Sequence, residues 1–261
     1  KIRSKTWFGS DQIPTYLMTH PAVEDRIAYI ASWLENYNRK SKPIPLVNQD
    51  AFKRVHTWVE TRYGDEEAVL NKFKDDVARN PQDPLAHYRY GLILARVGKR
   101  QEAIEQIRIA LTKRAFDPYI LKDLGRIYFL DGQFPQALNT LKSAVSMIPD
   151  DPECLFYIGR TQMELGNLAD ASDNLLKLVR QHPAFTPAYY FLGQSLGQQQ
   201  QLGDAHYYLG VFYLRKRDYK NAKIQFKQAL KHPQNDERQK KINEWLSKMN
   251  EKDKDQAKNG G

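Results

Sequence analysis

"PLAHYRYGLILARVGKRQEAIEQIRIALTKRAFD", residues 84–117, decides the fold, because its small residues return at a fixed interval. Gly91 is followed by Gly125, Gly159 and Gly193, and Ala103 by Ala137, Ala171 and Ala205, each step being 34 residues. Counted from residue 84, these are positions 8 and 20. Position 24 is Ile107, Leu141, Leu175 and Leu209, and position 27 is Ala110, Ala144, Leu178 and Phe212. Pro149 and Pro183 stand at position 32, where a helix has to stop. Glycine and alanine at positions 8 and 20 let two helices of a hairpin cross closely. The larger apolar residues fill the layer between one hairpin and the next.

This pattern resembles the tetratricopeptide repeat (TPR). The resemblance implies an all-α, right-handed solenoid of about four to five helical hairpins. Repeats are expected at 84–117, 118–151, 152–185 and 186–216. The stretch "AHYYLGVFYLRKRDYKNAKIQFKQAL" also fits, with Gly210, Ala222, Phe226 and Ala229 at positions 8, 20, 24 and 27. Gly210 follows Gly193 by only 17 residues, half a period, so a last hairpin over 203–233 overlaps the fourth repeat. A capping helix is expected over 236–250, with Ile242, Trp245, Leu246 and Met249 on one apolar face. Residues 251–261 read as a disordered tail. At the other end an atypical hairpin spans 50–81, so that the array occupies 50–250. Its first helix reads as amphipathic through Phe52, Val55, Trp58 and Val59; its second keeps Val69, Phe73 and Pro81 in register but has Asp76 at position 27.

Composition narrows the class. The 261 residues are 41% apolar with one cysteine, Cys154, which excludes an internal disulfide and a cysteine-based zinc cluster. Mean hydropathy is −0.70, and no apolar run approaches the ~18–20 residues of a membrane span. The sequence starts at Lys1 without an apolar leader and is expected to be a piece of a longer chain. Of the net charge of +9, residues 215–258 hold +7, from 14 Lys/Arg and 7 Asp/Glu. Lysines there alternate with acids and lack interleaved aromatics, so nucleic acid is not the expected partner.

In such a solenoid the first helix of each hairpin lines a concave groove through positions 2, 5, 9, 12 and 13. Here these are Tyr88, Leu92 and Arg96; Tyr119, Lys122, Arg126 and Phe129; Phe156, Arg160 and Met163; Tyr190 and Gln194; and Tyr207, Val211 and Arg215. Aromatics with arginines are residue types enriched in binding hot spots, and the set predicts a protein or peptide ligand of acidic or aromatic character. The Lys/Asn clamp that holds chaperone C-termini is absent, since position 9 is Leu92, Arg126, Arg160, Gln194 and Val211.

No H-E-x-x-H helix, nucleophile elbow or phosphate loop occurs. His87 and His206 fall at position 4, where packing explains them. "THPAVEDRI", residues 19–27, precedes an amphipathic helix expected over 21–39 and a Pro-containing connection. Taken by itself, His20 beside Pro21 reads as a helix cap. Together with the repeats, Thr19, His20, Pro21 and Arg26 resemble the end of the peptidase domain in bacterial zinc metallopeptidases of the BepA-like gluzincin class. That resemblance implies a peptidase remnant at 1–45, with His20 a regulatory zinc ligand in the full-length protein. It further implies a catalytic zinc and H-E-x-x-H motif upstream, so that this fragment alone is inactive and needs no cofactor. It places the parent in the periplasm. The groove's partners would be substrates, the protein's own peptidase domain, or outer-membrane assembly machinery. The competing reading is a non-enzymatic TPR adaptor that binds a peptide in its groove.

Overall fold

The computed structural model describes residues 49–259, with side chains from 52–251. The chain divides into two compact units, Lys1–Val55 and His56–Gly261. Within the first, only the opening turns of one helix are described. His20 and the helix expected over 21–39 lie outside the described residues. Those residues form helices without strands: α1 (Gln49–Tyr63), α2 (Glu66–Arg79), α3 (Pro84–Arg96), α4 (Arg100–Lys113), α5 (Pro118–Leu130), α6 (Phe134–Met147), α7 (Pro152–Glu164), α8 (Leu168–Gln181), α9 (Thr186–Gln198), α10 (Leu202–Arg215), α11 (Tyr219–Ala229) and α12 (Asp236–Asn259). From α2 onward each packs mainly on its sequence neighbours, and the first helices α3, α5, α7 and α9 also touch one another in turn. The second unit is therefore a solenoid of helical hairpins.

The repeated glycines show why the hairpins close. A Cβ at Gly91 would lie 2.5 Å from Ile107, at Gly125 2.5 Å from Leu141, at Gly159 2.7 Å from Leu175 and at Gly193 2.7 Å from Leu209. These distances are well inside van der Waals contact, so position 8 must lack a side chain for position 24 to fill the crossing. Ala103, Ala137 and Ala171 are fully buried beside it.

Helix boundaries repeat with equal regularity. Asp83, Asp117 and Asp151 cap α3, α5 and α7 by accepting backbone N–H bonds from Leu85, Tyr119 and Cys154 at 2.9–3.0 Å. A proline follows each cap at the first helical position, where its missing N–H costs nothing. Between the helices of a hairpin one residue takes a left-handed conformation: Gly98, Gly132 and Gly166, with φ of 77–84°. The equivalent residues in the last two hairpins are Gln200 (φ 62°) and Arg217 (φ 60°), which keep a Cβ in that region.

Those two left-handed residues are 17 apart and mark a slip of half a period. Helix α10 closes one hairpin and opens the next. Leu209 meets Gly193 on α9, while the adjacent Gly210 lies against Phe226 on α11, where a Cβ would come within 2.5 Å. A hydrogen bond makes the equivalence explicit. His87 Nδ1 pairs with the Gln106 amide oxygen at 2.7 Å between α3 and α4, and His206 Nδ1 pairs with Gln225 at 2.7 Å between α10 and α11. The α10–α11 hairpin thus repeats the α3–α4 hairpin in residue type and geometry.

Two expectations change at the ends. On α1, Phe52, Val55, Trp58 and Val59 are exposed, while Thr57 and Thr61 are buried. Thr57 accepts a bond from Arg89 Nε (3.0 Å), and the Thr61 carbonyl accepts one from Arg96 (2.8 Å), so polar partners on α3 select the threonine face. At the other end α12 runs to Asn259, beyond residue 250, with no proline or glycine before Gly260 to stop it. Ile242 and Met249 are buried on its inner face, and Trp245 lies 5.1 Å from Phe226.

The strained turns and the crowded crossings make opposite predictions. Gln200→Gly is expected to raise the unfolding free energy by about 0.5–1 kcal/mol, since glycine accepts positive φ without a Cβ clash. Gly125→Ala is expected to lower it by about 1–2 kcal/mol, crowding against Leu141 outweighing the gain in helix propensity. Urea denaturation followed by circular dichroism measures both.

Candidate peptide-binding groove

On the face lined by first helices, the predicted ligand-binding residues are largely engaged with each other. Tyr88 is buried, and its hydroxyl donates to Asp123 Oδ2 at 2.6 Å. Burial, reinforced by the Asp123 carboxylate, holds this phenol well above its ordinary pKa. Arg126 donates to the other Asp123 oxygen at 3.3 Å. Lys122 sits 3.2 Å from Asp151 and 3.0 Å from Glu153 on the next first helix. Burial alone would lower the Lys122 pKa, but Glu153 and Asp151 outweigh it and leave the ammonium raised. Arg96 donates to the carbonyls of Thr61 (2.8 Å) and Gly64 (2.9 Å) and pairs with Glu66 at 3.1 Å, which ties the α1–α2 turn to α3.

Farther along, Arg160 replaces ion pairs with aromatic contact. Its guanidinium lies 4.1 Å from the Phe191 ring centroid, 4.7 Å from Phe129 and 5.9 Å from Phe156, joining α5, α7 and α9. Phe129 and Phe156 are themselves buried. Met163 is partly buried against the core. Tyr119 lies beneath the Lys122 ammonium at 5.7 Å. Gln194 donates to the Tyr190 hydroxyl at 2.9 Å, and Tyr190 tilts onto Phe212.

What stays open is a cleft of about 490 Å³ across α1, α3, α5 and α7. It gathers Tyr88, Leu92, Arg96 and Arg126, together with four residues outside the expected set: Trp58, Arg62, Arg100 and Tyr157. Arg62 and Arg100 are exposed and have no carboxylate partner among the described residues. Trp58 and Arg62 belong to a helix without the glycine landmark. Tyr157 occupies position 6 and Arg100 position 17, neither of which the repeat pattern assigns to the groove.

Tyr207, Val211 and Arg215 line a different cleft, of about 470 Å³, with α8 and α12. The residues expected to share one groove through five registers therefore line two clefts, on either side of the half-period slip. Helix α10 is the second helix of its hairpin with α9, and it faces α8, also a second helix, across this cleft.

Cys154 is buried, and burial, aided by Asp151, pushes its thiol up to about 12, away from reactivity. Among the described residues no group of three or more His, Cys, Asp or Glu side chains could hold a metal ion. No described helix is long and apolar enough to cross a membrane.

Models of the tetratricopeptide repeat match residues 70–119, 91–152, 128–193 and 203–231. The chain carries a tetratricopeptide-repeat domain. Solved TPR structures share its fold at low identity. MamA from Desulfovibrio magneticus RS-1 is 20% identical, with a TM-score of 0.57 over 66% of this chain and 97% of its own. PilF from Pseudomonas aeruginosa is 14% identical, with a TM-score of 0.53 over 69% of this chain and 89% of its own. YrrB, described as a TPR protein with an unusual peptide-binding site, is 22% identical, with a TM-score of 0.54 over 75% and 95%. No curated protein matches the sequence.

The buried and half-buried ionisable groups of the TPR domain set its response to alkali. Burial raises the pKa of Tyr88, Tyr157, Tyr207, Tyr208 and Cys154, so each ionises first in the unfolded chain. Stability is then full below pH 9.0, the ordinary thiol value, and falls as pH rises towards about 12. Urea midpoints measured from pH 8 to pH 11 should decrease, and Cys154→Ala should shallow that decrease. Native-state alkylation of Cys154 should be at least about a hundredfold slower than in denaturant.

Proposed function

We propose that the repeat domain is a protein-interaction module that holds an extended acidic or aromatic peptide on its first-helix face. The observation that carries this reading is the contrast within the 490 Å³ cleft. Tyr88, Arg96 and Arg126 are satisfied internally and make a rigid wall. Arg62 and Arg100 project from that wall without carboxylate partners among the described residues, beside the rings of Trp58 and Tyr157. Cations beside aromatic surface complement a peptide bearing carboxylates and a ring. The peptide-binding site named for YrrB supports the same use of the fold.

We further propose that the domain serves a periplasmic zinc metallopeptidase and recruits its substrates or outer-membrane assembly partners. The support is the Thr19, His20, Pro21 and Arg26 pattern, which lies outside the described residues. In that reading zinc supplies Lewis-acid activation of water in the parent protein, and His20 regulates access to it. The adaptor reading differs in needing no zinc.

Fluorescence anisotropy with a labelled Asp/Glu- and Phe-containing peptide tests the first proposal. Arg62→Glu with Arg100→Glu should weaken binding at least about tenfold, or about 1.4 kcal/mol, without a change in melting temperature. Equal binding by the variant removes the proposal. For the second, His20→Ala in the full-length protein should alter zinc affinity and peptidase activity. A full-length protein that neither binds zinc nor hydrolyses peptide bonds leaves the adaptor.

A further inference from the structure

The half-period slip is accompanied by a second cleft. Beyond α11 no further regular hairpin follows among the described residues, and the cap helix α12 packs on α11 and reaches α10 through Arg238 and Trp245. The 470 Å³ cleft there is lined by Arg180, Arg215, Arg238 and Lys241, and no carboxylate lines it. Arg238 is ion-paired with Asp204 at its edge, which fixes α12 to α10. Arg180 and Lys241 are exposed and have no carboxylate partner among the described residues.

The ring contacts decide what such a cleft selects. The Arg238 guanidinium covers Tyr207 at 4.4 Å, and Trp245 stacks near that ring at 6.3 Å. Arg215 lies 4.7 Å from the Tyr189 ring and donates to the Tyr189 hydroxyl at 3.3 Å. The Lys241 ammonium stands 5.5 Å from Trp245. The aromatic faces are thus occupied by cations or by other rings, and base stacking, which single-stranded nucleic acid requires, has no platform. What the cleft offers is N–H donors and positive charge above an aliphatic floor of Leu176, Val179, Val211 and Leu214. A nucleic-acid backbone carries anions but no aliphatic group for that floor. A protein segment with a leucine or valine between carboxylates supplies both.

We infer that the cleft formed by α8, α9, α10 and α12 is a docking site for an acidic protein segment carrying an aliphatic side chain, separate from the first-helix cleft. One ligand could therefore engage each face of the domain.

The test uses a fluorescein-labelled peptide Gly-Asp-Glu-Leu-Glu-Asp-Gly, its Asn/Gln counterpart and a short oligothymidylate, by anisotropy with the intact chain. The acidic peptide should bind at least tenfold more tightly than its neutral counterpart, and more weakly as salt rises. In a chain that already carries Arg62→Glu and Arg100→Glu, which disables the first-helix cleft, Arg180→Glu with Lys241→Glu should weaken the remaining binding at least tenfold. The milder Arg180→Gln/Lys241→Gln pair guards against misfolding and should show the same direction. Absence of binding, equal binding of the neutral peptide, or indifference to both Arg180/Lys241 pairs overturns the inference. Competition by oligothymidylate at similar concentration overturns it in favour of nucleic acid. Sensitivity only to the Arg62/Arg100 pair overturns it while leaving the first-helix cleft as the peptide site.

Discussion

The structure depends on one contact repeated five times: a glycine Cα pressed against the large apolar residue sixteen positions later. At Gly91, Gly125, Gly159, Gly193 and Gly210 a single added carbon would stand 2.5–2.7 Å from that neighbour. Because the neighbour is aliphatic or aromatic, the contact brings two helices to the closest approach their backbones allow. Everything outside the hairpin then stacks on the surfaces this crossing leaves. Stability in such an array is close to a sum over neighbouring units, so a fault at one crossing is felt mainly by the helices on either side.

The same contact explains how the array changes register without breaking. Leu209 and Gly210 are adjacent on α10, so one helix presents a position-24 residue to α9 and a position-8 glycine to α11. Adjacent residues on a helix point about 100° apart, which lets one helix serve two hairpins on different sides. The cost appears in the turns, where Gln200 and Arg217 occupy the left-handed conformation that glycine takes in the earlier hairpins. The consequence is a change of face: residues that would continue the first-helix surface line a separate basic cleft.

Polar satisfaction governs the first-helix face in a similar way. A charged or hydroxyl group at a helix–helix contact loses its hydration and must find a partner. Tyr88 finds Asp123, Lys122 finds Asp151 and Glu153, and Arg96 finds two carbonyls and Glu66. These residues connect consecutive hairpins and so stiffen the wall of the cleft. Arg62 and Arg100 at its margin stay exposed, without carboxylate partners among the described residues.

The sequence by itself determined the hairpin crossings, the helix count within the repeats and the overlap at Gly210, because each rests on a local spacing that steric exclusion enforces. It also held readable signals that the glycine–alanine pattern overshadowed: Asp-Pro at 83–84, 117–118 and 151–152, and the glycines at 98, 132 and 166. Only the tertiary structure decided which face of α1 meets α3, since nothing in the sequence shows that Arg89 and Arg96 claim Thr57 and Thr61. Only it separated the expected groove residues into wall, cleft and second cleft. Partner choice among arginines, carboxylates and rings depends on distances between residues about 30 positions apart, and no spacing within one repeat encodes them.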